Sequence, residues 1–165
     1  MGSNPARPTW RAVAVHSART AIAAVASLLV ARLLRLPEAY WAPITTLVIT
    51  QSSLGAALSI SGERFIGTLV GAAVGATVAA CFGPNVLIFG ASIFLLGFLS
   101  AAVHSHRPAY RFAGVTLTIV LLIPRTGPPW RIALHRLAEV CVGLGVALFL
   151  TRVWPELDEI PSSKA

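Results

Sequence analysis

The amino-acid sequence predicts an all-α membrane protein with six transmembrane helices arranged as two inverted three-helix repeats. Three observations carry that reading. The composition is apolar: 56% of the 165 residues are hydrophobic, 12% are charged and the mean hydropathy is +0.77, whereas soluble domains carry about one-quarter charged residues. From Phe65 to Val103 there is no Asp, Glu, Lys or Arg; a bilayer crossing takes about 20 apolar residues, and a soluble domain of this size cannot bury such a run. The third observation is a repeated spacing. Tyr40, Thr45 and Thr46 precede Arg64, with Gly71 seven residues on; Tyr110, Thr116 and Thr118 precede Arg136, with Gly143 seven residues on. Each copy holds three crossings, and an odd number inserts the second copy upside down.

The first span covers residues 12–34 and stops before Leu36-Pro37, since the residue before proline is pushed out of helical geometry. Its basic flank, Arg7 and Arg11, resembles the start of a signal peptide, but Arg19 within the run and the lack of a cleavage site favour a retained helix. The second span covers 40–50, with QSSLG (51–55) as the connection to a third that begins near Ala56. Gly83-Pro84-Asn85 is a turn signal that splits the long uncharged run. The fourth span, 86–103, closes at HSHRP; the fifth runs over 109–123; the loop PRTGPPW leads to the sixth, 131–154. Residues 1–11 are expected to form a cytoplasmic N-terminal segment, 12–155 the membrane domain and 156–165 a polar tail.

The net charge of +7 comes from basic residues that flank apolar segments, the ordinary membrane pattern rather than a nucleic-acid surface. With the N-terminus inside, Arg7, Arg11, Arg64, Arg107, Arg111, Arg152 and Lys164 fall on the cytoplasmic half, against Arg32, Arg35, Arg125, Arg131 and Arg136 on the other. That small bias favours both termini in the cytoplasm and leaves a dual topology as the alternative. Cys81 and Cys141 lie in apolar runs and read as small packing residues, with no disulfide or metal site. His104 and His106 have no nearby carboxylate or cysteine to complete a metal site, and His16 reads as a flanking residue.

Three arginines fall inside spans: Arg19, Arg64 and Arg136. An arginine in hydrocarbon costs roughly 3 kcal/mol on insertion scales, so such residues face a protein interior or water. A guanidinium offers a fixed bidentate fork that suits carboxylate, and an inverted repeat brings Arg64 and Arg136 toward the midplane from opposite sides. Broken spans at matching positions point to a transport site; the second span holds Pro43 and the fifth Gly114. Thr45, Thr46, Thr116 and Thr118 would line the path or, alternatively, bond back to their own helices. Glu139 is a proton-coupling candidate, or the counter-charge of Arg136 at i,i+3. Gly67, Gly71 and Gly75 form a doubled GxxxG row that lets another helix approach closely.

With these residues in view, the chain resembles the fusaric acid resistance and aromatic acid exporter family of integral membrane transporters. The resemblance rests on YWAPIT at 40–45, the QSSLG connection, R-x-x-G-T-x-x-G from Arg64 to Gly71, and HRLAEVCVGLGVALFLTRVWP, and it spans residues 12–155. It implies a bacterial inner-membrane protein that exports small organic anions, aromatic or other weak carboxylic acids, along an arginine- and threonine-lined path without a cofactor. The plant malate-channel family is similar in its six-helix membrane part, so an anion channel is the alternative; a non-transporting membrane subunit of a larger complex is a third reading. Longer members carry a soluble domain or duplicate the six-helix unit. A lone module is therefore expected to work as a homo-oligomer, a dimer or higher. No Ser-His-Asp array, P-loop, dinucleotide fingerprint or zinc spacing occurs, so the chain does not read as an enzyme.

Overall fold

The computed structural model describes residues 10–50, 54–102, 107–123 and 127–154. The N-terminal segment with Arg7, the QSS of the second connection, His104 and His106, Arg125, and the polar tail with Lys164 lie outside the described residues. Six helices follow one another: α1 (Trp10–Leu33), α2 (Trp41–Thr50), α3 (Leu54–Phe82), α4 (Val86–Ala102), α5 (Arg107–Leu122) and α6 (Pro129–Val153). The described residues form an all-α membrane protein. Three segments, Val13–Leu33, Leu54–Phe82 and Pro129–Val153, are long and apolar enough to cross a bilayer, and the other three helices are apolar but shorter. At 1.5 Å per residue, α2 is only about 15 Å long, half a hydrocarbon thickness.

Local chemistry sets the helix ends. α1 closes with the Leu36 N–H donating to the Ala31 carbonyl and the Arg35 N–H to that of Arg32, with Arg35 at φ 54°. This is a Schellman closure with arginine in the left-handed slot that glycine usually fills, and Pro37 then prevents the helix from resuming. Gly83 at φ 68° ends α3, and the Asn85 side chain caps α4 by accepting from the Leu87 N–H. Pro129 opens α6 at a position where no N–H is needed.

Polarity is inside out relative to a soluble domain. Large apolar side chains point outward, among them Leu33, Leu87, Phe94, Phe98 and Phe149, while the interior holds alanines together with Arg19, Thr45, Thr46, Arg64, Thr68, Thr116, Arg136 and Glu139. Lipid as the outer solvent explains both halves of this distribution. Cys81 and Cys141 are exposed, so the expectation that they fill packing positions does not hold. An apolar run buried in lipid gives no sign of which residues face protein.

Two close helix pairs organise the interior. The α3–α5 pair places Gly67 against Ala109 and Phe112, Gly71 against Ala113, and Gly75 against Leu117 and Val120. The numbers rise together, so α3 and α5 run parallel. The α2–α6 pair places Gly143 against Ala42 and Thr45, while Ile49 clusters with Val140, Leu144 and Ala147; this pair is parallel too. In each pair a glycine faces an alanine carbonyl: a Cβ on Gly71 would strike the Ala113 oxygen, and one on Gly143 would strike that of Ala42. α1 lies against α2 and α6, and α4 against α5 and α3. Exchanging α1–α3 with α4–α6 leaves this set of partners unchanged.

Candidate functional site

Because α2 runs beside the middle of α6, its first turn lies deep. The Glu38 N–H donates to Glu139 Oε1 at 3.2 Å, and Glu139 is ten residues into α6, about 15 Å from its start. The Schellman turn at Arg35 therefore drops the chain into a recess rather than returning it to the level of the first turn of α6. Charge collects at this depth. Arg136 Nη1 donates to Glu139 Oε2 at 3.0 Å, with both side chains fully buried. The Arg136 guanidinium lies over the Trp41 ring at 4.0 Å, and Trp41 Nε1 donates to Glu38 Oε2 at 3.0 Å.

Arg64 is arranged in the same way on the other pair. Its guanidinium lies over the Phe112 ring at 4.8 Å, and Nη2 donates to Thr45 Oγ1 at 3.0 Å. Each arginine thus covers the aromatic residue near the start of the short helix that its own helix packs against: Arg136 over Trp41, Arg64 over Phe112. Both guanidiniums reach α2 about one helical turn apart, Arg64 at Thr45 and Arg136 at Trp41. Their surroundings then differ. Arg136 has Glu139, whereas no carboxylate among the described residues pairs with Arg64, and its buried Nε has no hydrogen-bond partner. Ser61, one turn before Arg64, also has a buried hydroxyl without a partner. The cause is local. At the register where Glu139 meets Glu38, α3 carries Gly67 and closes directly onto Ala109, leaving no room for a second acid.

The remaining sequence candidates divide. Thr45 faces Arg64. Thr46 donates to the carbonyls of Ala42 and Gly143, both at 3.1 Å, tying α2 to α6. Thr116 and Thr118 bond back to the carbonyls of Phe112 and Gly114. Arg19 is away from the central cluster. It is 2% exposed and donates through Nη2 to Thr151 Oγ1 at 3.2 Å, while Nε and Nη1 have no partner. Thr151 is twelve residues beyond Glu139, about 18 Å along α6. Glu38, Trp41, Phe112 and Ser61 were not singled out by sequence; an aromatic near the start of both short helices was the available signal. Thr46→Val should lower stability by about 1 kcal/mol through the lost α2–α6 bond, and Thr118→Val by much less, measured by thermal unfolding in detergent.

The comparisons with known proteins give this geometry its family. The family described as fusaric acid resistance protein-like matches residues 22–150, which take in every residue of the central cluster. The chain belongs to that family. Among relatives of this fusaric acid resistance-like chain, the inner membrane protein YeeA of Escherichia coli K12 is 31% identical over 149 residues, 86% of this chain and 41% of YeeA. The inner membrane protein YccS of the same organism is 25% identical over 86% of this chain and 20% of its own length. The uncharacterized transporter YdhK is 32% identical over 82% of this chain and 21% of its own. The chain therefore spans about two-fifths of the length of YeeA and about one-fifth of that of the other two. No solved structure matches it.

Proposed function

We propose that the chain is the membrane module of a transporter for small organic anions, weak carboxylic acids in particular, and that the anion passes Arg64 and Arg136 at the seam between two inverted helix triplets. The observation that carries the proposal is Arg64: a guanidinium buried among the helices, held by Thr45 and Phe112, with an unpartnered Nε and, among the described residues, no carboxylate to pair with. A buried charge without a counter-ion is costly, and an arriving carboxylate supplies the missing one with bidentate geometry. The matched pairs α2–α6 and α3–α5, with glycine against an alanine carbonyl in both, support the inverted repeat. Arg19, similarly short of partners beside Thr151, would be a second station on the same route. Relatives named as inner membrane proteins and as a transporter support the location and the class.

Reconstitution tests this directly. Vesicles containing the protein should take up radiolabelled benzoate well above protein-free vesicles; Arg64→Ala should cut the rate at least tenfold while leaving protein yield and helicity intact, and Arg136→Ala, which also loses stability through the stranded Glu139, should cut the rate at least tenfold per folded molecule. Uptake equal to that of empty vesicles, or variants as active as the parent, would overturn the proposal. We also propose a homo-oligomer, a dimer or higher, as the working form. Crosslinking in native membranes should trap at least a dimer, and exclusive recovery of monomer is the contrary result.

A further inference from the structure

The two arginines of the seam are not equivalent, and the difference concerns charge. Arg64 has no carboxylate partner among the described residues, whereas Arg136 is joined to Glu139, and Glu139 in turn to the backbone of Glu38. Among the described residues, two guanidiniums, Arg64 and Arg136, and two carboxylates, Glu38 and Glu139, sit around this point, and these four side chains sum to zero formal charge before any anion arrives. From the elements packed on α6, Glu38 of the α1–α2 turn faces Glu139 directly, while Arg64 of α3 reaches α2 at Thr45, about one turn from the Trp41 that Arg136 covers. α1 contributes Arg19 only at the far end, beside Thr151, and Arg111 of α5 is exposed. On α6 itself, half-buried His135 adjoins Arg136.

We propose that Glu139 takes up a proton when an anion binds between Arg64 and Arg136, so that anion and proton are carried together. The proposal rests on the anion-transport reading above. An entering monoanion that draws Arg136 toward itself takes the guanidinium away from Glu139. An ionised Glu139 would then face Glu38 in a fully buried position with an excess negative charge in the cluster. A proton from water adding to Glu139 Oε2, the oxygen that Arg136 vacates, converts the carboxylate to a carboxylic acid and restores neutrality. No bond of the anion changes. The α3–α5 pair has glycine at the matching place, so only one side of the seam can perform this exchange. Arg64 is then the standing half of the site and Arg136 the half that is released on protonation.

The test uses benzenesulfonate, which stays ionised and cannot itself carry the proton. Purified protein in weakly buffered detergent solution should take up about one proton per bound anion, read by an indicator dye. By linkage, affinity should fall about tenfold per pH unit over the range in which Glu139 is ionised before binding. Glu139→Gln should bind the anion without proton uptake and with an affinity flat in pH, while Glu63→Gln, outside the cluster, should retain the uptake. Binding by the parent protein with no proton change, or with proton release, overturns the inference while leaving the anion site standing. Undiminished uptake in Glu139→Gln overturns the assignment to that residue. The parent measurement needs no variant to fold. No binding of benzenesulfonate or benzoate by the parent protein would instead sink the transport reading.

Discussion

Replacing Gly143 by alanine should lower the thermal unfolding midpoint in detergent by several degrees, and replacing it by leucine should prevent recovery of folded protein. A Cβ at this position would lie 2.5 Å from the Ala42 carbonyl oxygen and 2.6 Å from the Thr45 Cβ. The first obstacle is backbone, so no rotamer change relieves it; α2 as a whole must move off α6. Overpacking of this kind costs about 1–3 kcal/mol. The displacement would also carry away Thr45, which holds Arg64. Gly71→Ala should behave alike, since its Cβ would meet the Ala113 carbonyl. Gly145 and Gly62 are the controls, because nothing lies within 4 Å of a Cβ there. Alanine at either should be neutral or stabilise by up to about 1 kcal/mol through helix propensity. Equal effects at Gly143 and Gly145 would mean that α2 and α6 are not in this register.

Glu139→Ala should destabilise the protein by about 3–5 kcal/mol, the usual cost of removing one partner from a buried ion pair. It removes the carboxylate that lies 3.0 Å from Arg136 at a site where neither side chain meets solvent. Arg136→Met should cost a similar amount, because Glu139 keeps its bond from the Glu38 N–H but loses its positive partner. The double variant Arg136→Met, Glu139→Ala should be clearly less damaged than the sum of the two, since no buried charge is then left over. A double-mutant cycle read by thermal unfolding in detergent measures this coupling. Additive losses would show that the two residues are stabilised independently. The double variant should also transport no anion even where it folds.

The membrane class, the helix ends near Pro37 and Gly83, and the burial of Arg64 and Arg136 among the helices were legible because each has a local signature. Prolines and glycines fix turns through dihedral limits, and an arginine in an uncharged stretch must be accommodated by protein. Glu38 was not legible. It follows Pro37 and reads as an ordinary loop residue; it reaches Glu139 only because Arg35 turns the chain back sharply and α2 packs halfway along α6. The threonines show a similar limit. Spacing brings Thr45, Thr46, Thr116 and Thr118 to the short helices, but the choice between a neighbour and the carbonyl four residues back is made by packing. Thr45 faces an arginine from α3, whereas Thr116 and Thr118 bond to their own helix. The outward cysteines follow from the same cause, since hydropathy cannot separate a lipid-facing residue from an interhelical one.

Anion transport by this chain depends on the buried guanidiniums of α3 and α6 being a place where an anion sits. Equilibrium binding of radiolabelled benzoate to the purified protein, compared with Arg64→Met and Arg136→Met of unchanged helicity, measures that most directly. Saturable binding near one anion per chain, weakened at least tenfold in both variants, is the expected result. Binding of equal strength in all three proteins would place the anion elsewhere and contradict the proposed site.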